Sequence, residues 1–231
     1  IAIGTVLLPN LSKHIQSKNN KKINFIQNKS LELCLFLSLP ATAALLIGSE
    51  EITSSLFGYG SFNYLSVKNS SNALFYFALG LPAFSLIKVF SSFSFARHNT
   101  KQPFIFSLLS VCLNIFISVY FFKDFGFIII AISTSISSWF NATLLYLFLH
   151  KKKYFIFETT LIKTFSKILI SSLLMGLLLY YLVNNLENYL NYNSDFKLVV
   201  ILILIFVSMA FYFILSIVIK AFKMGDIKIK Y

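Results

Sequence analysis

The sequence predicts an all-α polytopic membrane protein with six complete transmembrane helices and the end of a seventh. Three observations carry that prediction. Of 231 residues, 57% are hydrophobic and only 12% charged, and the mean hydropathy is +0.77. The apolar residues gather in six runs of spanning length. The charges gather on alternate connections between those runs. Ordinary soluble domains are about 25% charged, and a domain of this size has too little interior to hide so much apolar surface. A soluble enzyme is excluded. A disordered tail is excluded too, because disorder needs low hydrophobicity.

The chain opens on an apolar stretch, 1–8, closed by Pro9 and Asn10. It is too short to span and has no basic flank before it, so it is not a signal peptide. It reads as the end of a helix that starts upstream, which makes the chain the C-terminal part of something longer. The six spans follow at 31–48, 73–95, 103–122, 127–149, 164–183 and 198–220. Each is near or above the ~20 residues that cross a bilayer as a helix. None shows the alternation of a membrane strand. Pro40 and Pro82 lie inside spans and should bend them. Pro103 falls in a first helical turn, where a missing N–H costs nothing.

The net charge of +12 sorts by side. Connection 10–30 carries Lys13, Lys18, Lys21, Lys22 and Lys29, and connection 96–102 carries Arg97 and Lys101. Connection 150–167 carries Lys151, Lys152, Lys153, Lys163 and Lys167, and the tail carries Lys220, Lys223, Lys228 and Lys230. The alternate connections hold Lys68, Lys123 and Lys197, together with Glu50, Glu51, Asp124, Glu187 and Asp195. The positive-inside rule puts the first set, and the C-terminus, in the cytoplasm. The basic surplus is therefore a topology signal with an attraction to anionic membrane lipids, not a nucleic-acid surface. The outer loop 49–72 holds Ile52, Leu56, Phe57, Tyr59, Phe62 and Tyr64, a composition suited to a short interfacial element. The outer loop 184–196 reads as polar and mobile.

Four spans carry polar stripes at helical spacing: Cys34, Ser38 and Thr42; Ser85, Lys88 and Ser92; Ser107, Ser110, Asn114 and Ser118; Thr134, Ser138 and Asn141. The last two spans are nearly all aliphatic and aromatic and look peripheral. Two readings fit the stripes. Small polar residues are helix–helix glue at about 1 kcal/mol or less each. Coordinated stripes also line a water-accessible cavity. Lys88 is the only charge well inside a span. It lies eight or nine residues from the basic end, roughly 12–14 Å along a helix, so it either snorkels under strain or lines a cavity for an anionic headgroup. Ser85, Ser92 and Asn141 are the other candidates for such a substrate cavity.

Cys34 and Cys112 have no CxxC partner, and no HExxH occurs, so neither a metal nor another cofactor is implied. No nucleophile–base set, P-loop or paired intramembrane carboxylates appear, which argues for a non-enzyme.

Several segments, in order, resemble the MurJ (MviN) family of lipid II flippases, within the multidrug/oligosaccharidyl-lipid/polysaccharide exporter superfamily. They are IGTVLLPNLSK at 3–13, LFGYGSF at 56–62, LIKVF at 86–90, FARHNTKQP at 95–103, Gly126, AISTSISSWFN at 131–141 and LLY at 144–146. The resemblance implies fourteen helices in full: two pseudo-symmetric six-helix lobes plus two more. On it, residues 1–150 are the end of helix 8 and helices 9–12 of the second lobe. Residues 151–231 are the two additional helices and the cytoplasmic tail. It further implies flipping of lipid II across the bacterial cytoplasmic (inner) membrane by alternating access. The partners it implies are lipid II and the missing N-terminal lobe. Lys88 falls on the lysine of the family's Lys-Val segment. Some family members have a sodium site of an Asn, an Asp four residues later and a Thr. Asn114 and Thr134 match two of those positions, and Ser118 stands where the Asp would be. Two other readings remain: an exporter of another lipid-linked oligosaccharide or a drug, and a noncatalytic membrane scaffold.

Overall fold

The computed structural model describes residues 2–17 and 19–221. Lys18, Lys223, Lys228 and Lys230 of the charge pattern lie outside them. The described elements are all helical: α1 Ala2–Gln16, α2 Asn20–Ile47, α3 Ser49–Phe57, α4 Tyr64–Phe95, α5 Lys101–Phe125, α6 Ile128–Lys151, α7 Thr159–Asn185, α8 Glu187–Leu190 and α9 Lys197–Val218. Among the described residues, six helices are long and apolar enough to cross a membrane: α2, α4, α5, α6, α7 and α9. These are the six expected spans, and the chain is a multi-pass membrane protein.

The helices outrun the apolar runs. α2 begins eleven residues before its run, so the expected connection 10–30 is mostly helix. Helix hydrogen bonding does not stop where hydropathy does. α1 likewise continues through Pro9 instead of closing there. Proline removes one intrahelical bond. Leu7 and Leu11, four residues apart on one face, are buried to 4% and 0% exposure and hold the helix across the break. The Asn19 side chain accepts from Lys22 N–H at 3.1 Å and so caps the start of α2. Asn63 does the same for α4 through Ser66 N–H at 2.9 Å. Gly126, at φ +60, makes the tight α5–α6 turn in a conformation that side chains oppose.

The chain packs as two compact units, Ile1–Ser38 with Leu79–Ile162, and Leu39–Ala78 with Lys163–Tyr231. These packing units do not coincide with the expected division at 150/151 between the second-lobe helices and the two additional ones.

In the first unit, the core joins Leu11, Leu31, Cys34, Phe90, Phe93, Leu145, Leu149 and Phe155. Phe93 and Phe155 stack at 5.7 Å. The segment after α6 leaves helical geometry at 154–158, so its peptide groups need outside partners. Gln27 Nε2 donates to Tyr154 O at 3.0 Å, and Arg97 Nη2 donates to the same oxygen at 2.7 Å. Asn28 donates to Ile156 O at 3.1 Å and accepts from Glu158 N–H at 3.2 Å. Arg97 also donates to Phe93 O and lies 4.7 Å from the Tyr154 ring centre. Gln27 and Asn28 are buried, although the sequence places them in a connection. α4 and α6 approach closely where Gly80 meets Ser135: a Cβ on Gly80 would sit 2.7 Å from Ser135 Oγ.

In the second unit, Leu179, Val183, Leu190, Ile201 and Leu204 form the core, with Ile47 and Ile52 against it. Loop 184–196 is not simply polar. It contains α8, and Leu190 is buried. Tyr192 Oη donates to Phe62 O at 2.8 Å. Lys197, at the start of α9, is 1% exposed. Its ammonium donates to Gly58 O and Tyr192 O, both at 2.7 Å, and faces the Tyr59 and Tyr192 rings at 4.3 and 4.7 Å. The cation is satisfied by carbonyls and ring faces.

Arg97→Ala should cost about 2 kcal/mol of stability, because a charged donor to two carbonyls is lost. Arg97→Lys should recover less than half, since one ammonium does not reproduce the guanidinium fork. Thermal unfolding in detergent measures both. Lys197→Met keeps the apolar stem but orphans two carbonyls. It should cost on the order of 2–4 kcal/mol in the same assay.

Candidate functional site

The polar stripes of α5 and α6 meet each other. Asn114 Nδ2 donates to Thr134 Oγ1 at 3.0 Å and to Ser137 Oγ at 3.3 Å. Ser118 and Ser133 share a hydroxyl–hydroxyl bond of 2.7 Å. Asn141 Nδ2 reaches Ser107 Oγ at 3.4 Å. The remaining hydroxyls turn back on their own helices: Ser110 to Phe106 O, Thr134 to Ile130 O and Ser138 to Thr134 O. The reason is local. Ser and Thr side chains are short and satisfy themselves on the preceding turn, while Asn is long enough to cross to the neighbour. The seam is thus a ladder of two long crossings and one hydroxyl pair.

The structure brings Asn114 and Thr134 together. Ser118 sits one turn further along the same face but bonds Ser133, not Thr134. The seam offers hydroxyl and amide groups and no carboxylate.

The substrate-cavity candidates are not joined into one constellation. Asn141 belongs to the seam, and its Oδ1 is shut off from solvent without a partner. Ser92 Oγ donates to Lys88 O at 2.8 Å, an intrahelical bond. Ser85 is half-buried, and Cys34 joins the apolar core. Lys88 itself is exposed, and its ammonium makes no hydrogen bond or ion pair with a described residue.

The expectation that the last two spans are the peripheral ones does not match the packing within the described chain. α5 is buried over 6% of its apolar stretch, against 39% for α7 and 22% for α9. Val111, Ile115, Phe116, Val119, Tyr120 and Phe122 leave most of its circumference exposed.

Three features escaped the sequence reading. The Gln27–Asn28–Arg97 clamp and the Lys197 cage serve backbone carbonyls, which leave no mark in a sequence. The third is a pocket of about 610 Å³ in the second unit, lined by Glu50, Glu51, Ser54, Tyr64, Glu187 and Tyr192 among others. Glu187 lies more than 130 residues from Glu50 and Glu51 in the chain.

Comparisons with known proteins converge. A family model described as "Lipid II flippase MurJ" matches residues 1–201. The chain is 34% identical over 230 residues to a Rhizobium tropici protein named "Probable lipid II flippase MurJ", covering 99% of this chain and 43% of the relative. A Rickettsia prowazekii protein of the same name is 34% identical over 178 residues, 77% of this chain and 35% of its own. A solved structure titled "Lipid II flippase MurJ, inward closed conformation" superposes with a TM-score of 0.71 at 30% identity, over 93% of this chain and 42% of that one. The chain therefore spans less than half the length of the relatives it matches. With a match over residues 1–201, the chain belongs to the lipid II flippase MurJ family.

Proposed function

We propose that this chain forms the end of helix 8 and helices 9–12 of the second lobe, in residues 1–150, and the two additional helices, in 151–231, of a transporter. That transporter flips lipid II from the inner to the outer leaflet of the bacterial cytoplasmic membrane. The carrying observation is the family match over residues 1–201, supported by the superposition at a TM-score of 0.71. The reading takes the protein to be a transporter and not an enzyme, with its C-terminus in the cytoplasm.

The physical task is to move a pyrophosphate and sugars through hydrocarbon. An isolated charge there costs about 2.5–3.5 kcal/mol on insertion scales. A polar path that opens alternately to each side removes most of that barrier. Lys88 suits such a path. It stands within a 32-residue apolar helix, exposed and without a described counter-ion. A pyrophosphate oxygen would give the ammonium the partner that it lacks. The α5–α6 seam supports the glue reading for its own stripe, so Asn114, Thr134, Ser118 and Asn141 act by holding two helices at a fixed register. With hydroxyls and amides alone along it, the seam offers sodium no anionic ligand, which favours the membrane potential as the drive.

Two outcomes test this. In bacteria depleted of their own flippase, the full-length protein should restore lipid II at the outer leaflet. Lys88→Ala at equal protein level should abolish that exposure; a scaffold would tolerate it. In vesicles, replacing sodium with potassium should leave the flipping rate within about twofold, a barrier change below 1 kcal/mol. Collapsing the membrane potential should stop flipping.

A further inference from the structure

The pocket of about 610 Å³ in the second unit has no part in the flipping path proposed above, and its chemistry is distinct. Its wall carries three carboxylates, Glu50 and Glu51 from α3 and Glu187 from α8. None of them forms an ion pair with a described residue. Glu50 accepts one hydrogen bond, from Tyr64 Oη at 3.0 Å. The nearby cation, Lys197, is already held by Gly58 O and Tyr192 O.

A second observation points to a ligand. Ser54 lines the same pocket and is 3% exposed, yet its hydroxyl has no partner. It does not make the bond to the i−4 carbonyl that Ser92, Ser110 and Ser138 make. Glu51 Oε2 is likewise closed to solvent and unpaired. Buried polar atoms are nearly always satisfied, so a hydroxyl and a carboxylate oxygen orphaned in one wall mark a place that a donor group completes. Burial pushes the Glu51 carboxyl up. A backbone hydrogen bond opposes that shift, and the Glu50 and Glu187 charges add to it.

The ligand must be cationic and larger than an ion. Among the described residues, no group of three His, Cys, Asp or Glu is placed to hold a metal. A volume of this size is that of a molecule-sized site. Primary ammonium groups fit: each presents three donors, and several on one chain answer carboxylates set apart. We propose that this pocket binds a molecule carrying primary ammonium groups, an organic di- or polyamine or an amine-bearing headgroup, held by Glu51, Glu187 and Ser54.

The test is calorimetry of spermidine against the full-length protein in phosphatidylcholine nanodiscs. Saturable binding is expected. Glu51→Gln and Glu187→Gln should each weaken it about tenfold and Ser54→Ala about threefold, the worth of one charge-assisted and one neutral hydrogen bond. Glu51→Gln should not lower the melting temperature. Its carboxyl pKa is raised by folding, so above that pKa the ionised group opposes folding, and removing the charge relieves this. Lost binding with an undiminished melting point therefore reports the site and not misfolding. Repeating the titration in phosphatidylethanolamine nanodiscs separates the sources. A weakened spermidine affinity identifies the headgroup amine as an occupant, and an unchanged affinity identifies a soluble amine. No saturable binding in the wild type, or unchanged affinity in both Gln variants, overturns the proposal. So does calcium binding more tightly than spermidine at the same site.

Discussion

Hydrocarbon offers no hydrogen bonds, so every peptide group that leaves helical geometry near the membrane must find its partner within the chain. That single constraint explains the polar side chains that reach across the chain to backbone groups. In the first unit, residues 154–158 are not helical, and Gln27, Asn28 and Arg97 take up their carbonyls and amides. In the second, Gly58 and Tyr192 present carbonyls beside the start of α9, and Lys197 occupies them. Both solutions use a cation on an aromatic face with carbonyl acceptors and no acid. A carbonyl partner suits a low-dielectric site, because it satisfies the donor without requiring a second charge to be desolvated.

The same constraint governs the polar stripes. A serine inside a span can satisfy itself on the turn below, and Ser92, Ser110, Ser138 and Ser172 do. Such residues carry little information about function. An asparagine amide is too well furnished with donors for that, and Asn114 and Asn141 therefore cross to the facing helix. The seam between α5 and α6 is set by two side chains more than by the stripe as a whole. Each crossing is worth about 1 kcal/mol or less, enough to choose a register between two helices that hydrocarbon would otherwise leave free to slide.

How much of this was legible follows from what hydropathy encodes. The six spans are visible because twenty consecutive apolar residues have no other stable home. Their ends are not, since α2 is helical from Asn20 while its apolar run starts at 31. Pro9 looks like a stop in one dimension, and only the buried pair Leu7 and Leu11 shows why it is passed. Spacing by three and four identified the faces of Asn114 and Thr134, but a face does not name its neighbour. Loop 184–196 looked polar because most of its residues are. Its order rests on Leu190, Tyr192 and Lys197 meeting segments far away in the chain. Glu51 and Glu187 share a pocket for the same long-range reason.

The basic residues divide by what their donors already do, and this decides which of them is free to meet an anion. Lys29 is paired with Glu32 at 2.9 Å. Arg97 and Lys197 have their donors on carbonyls, so engaging a phosphate would first break bonds that hold connections in place. The exposed lysines of 151–153 sit beyond the end of the α6 apolar run and not within a span. Among the described basic residues, Lys88 alone combines a position deep within an apolar helix with donors that no described residue uses. Packing does not call for such a group, because methionine or leucine would fill the same volume without the insertion penalty. In the flipping path proposed above, those spare donors are what would meet the pyrophosphate.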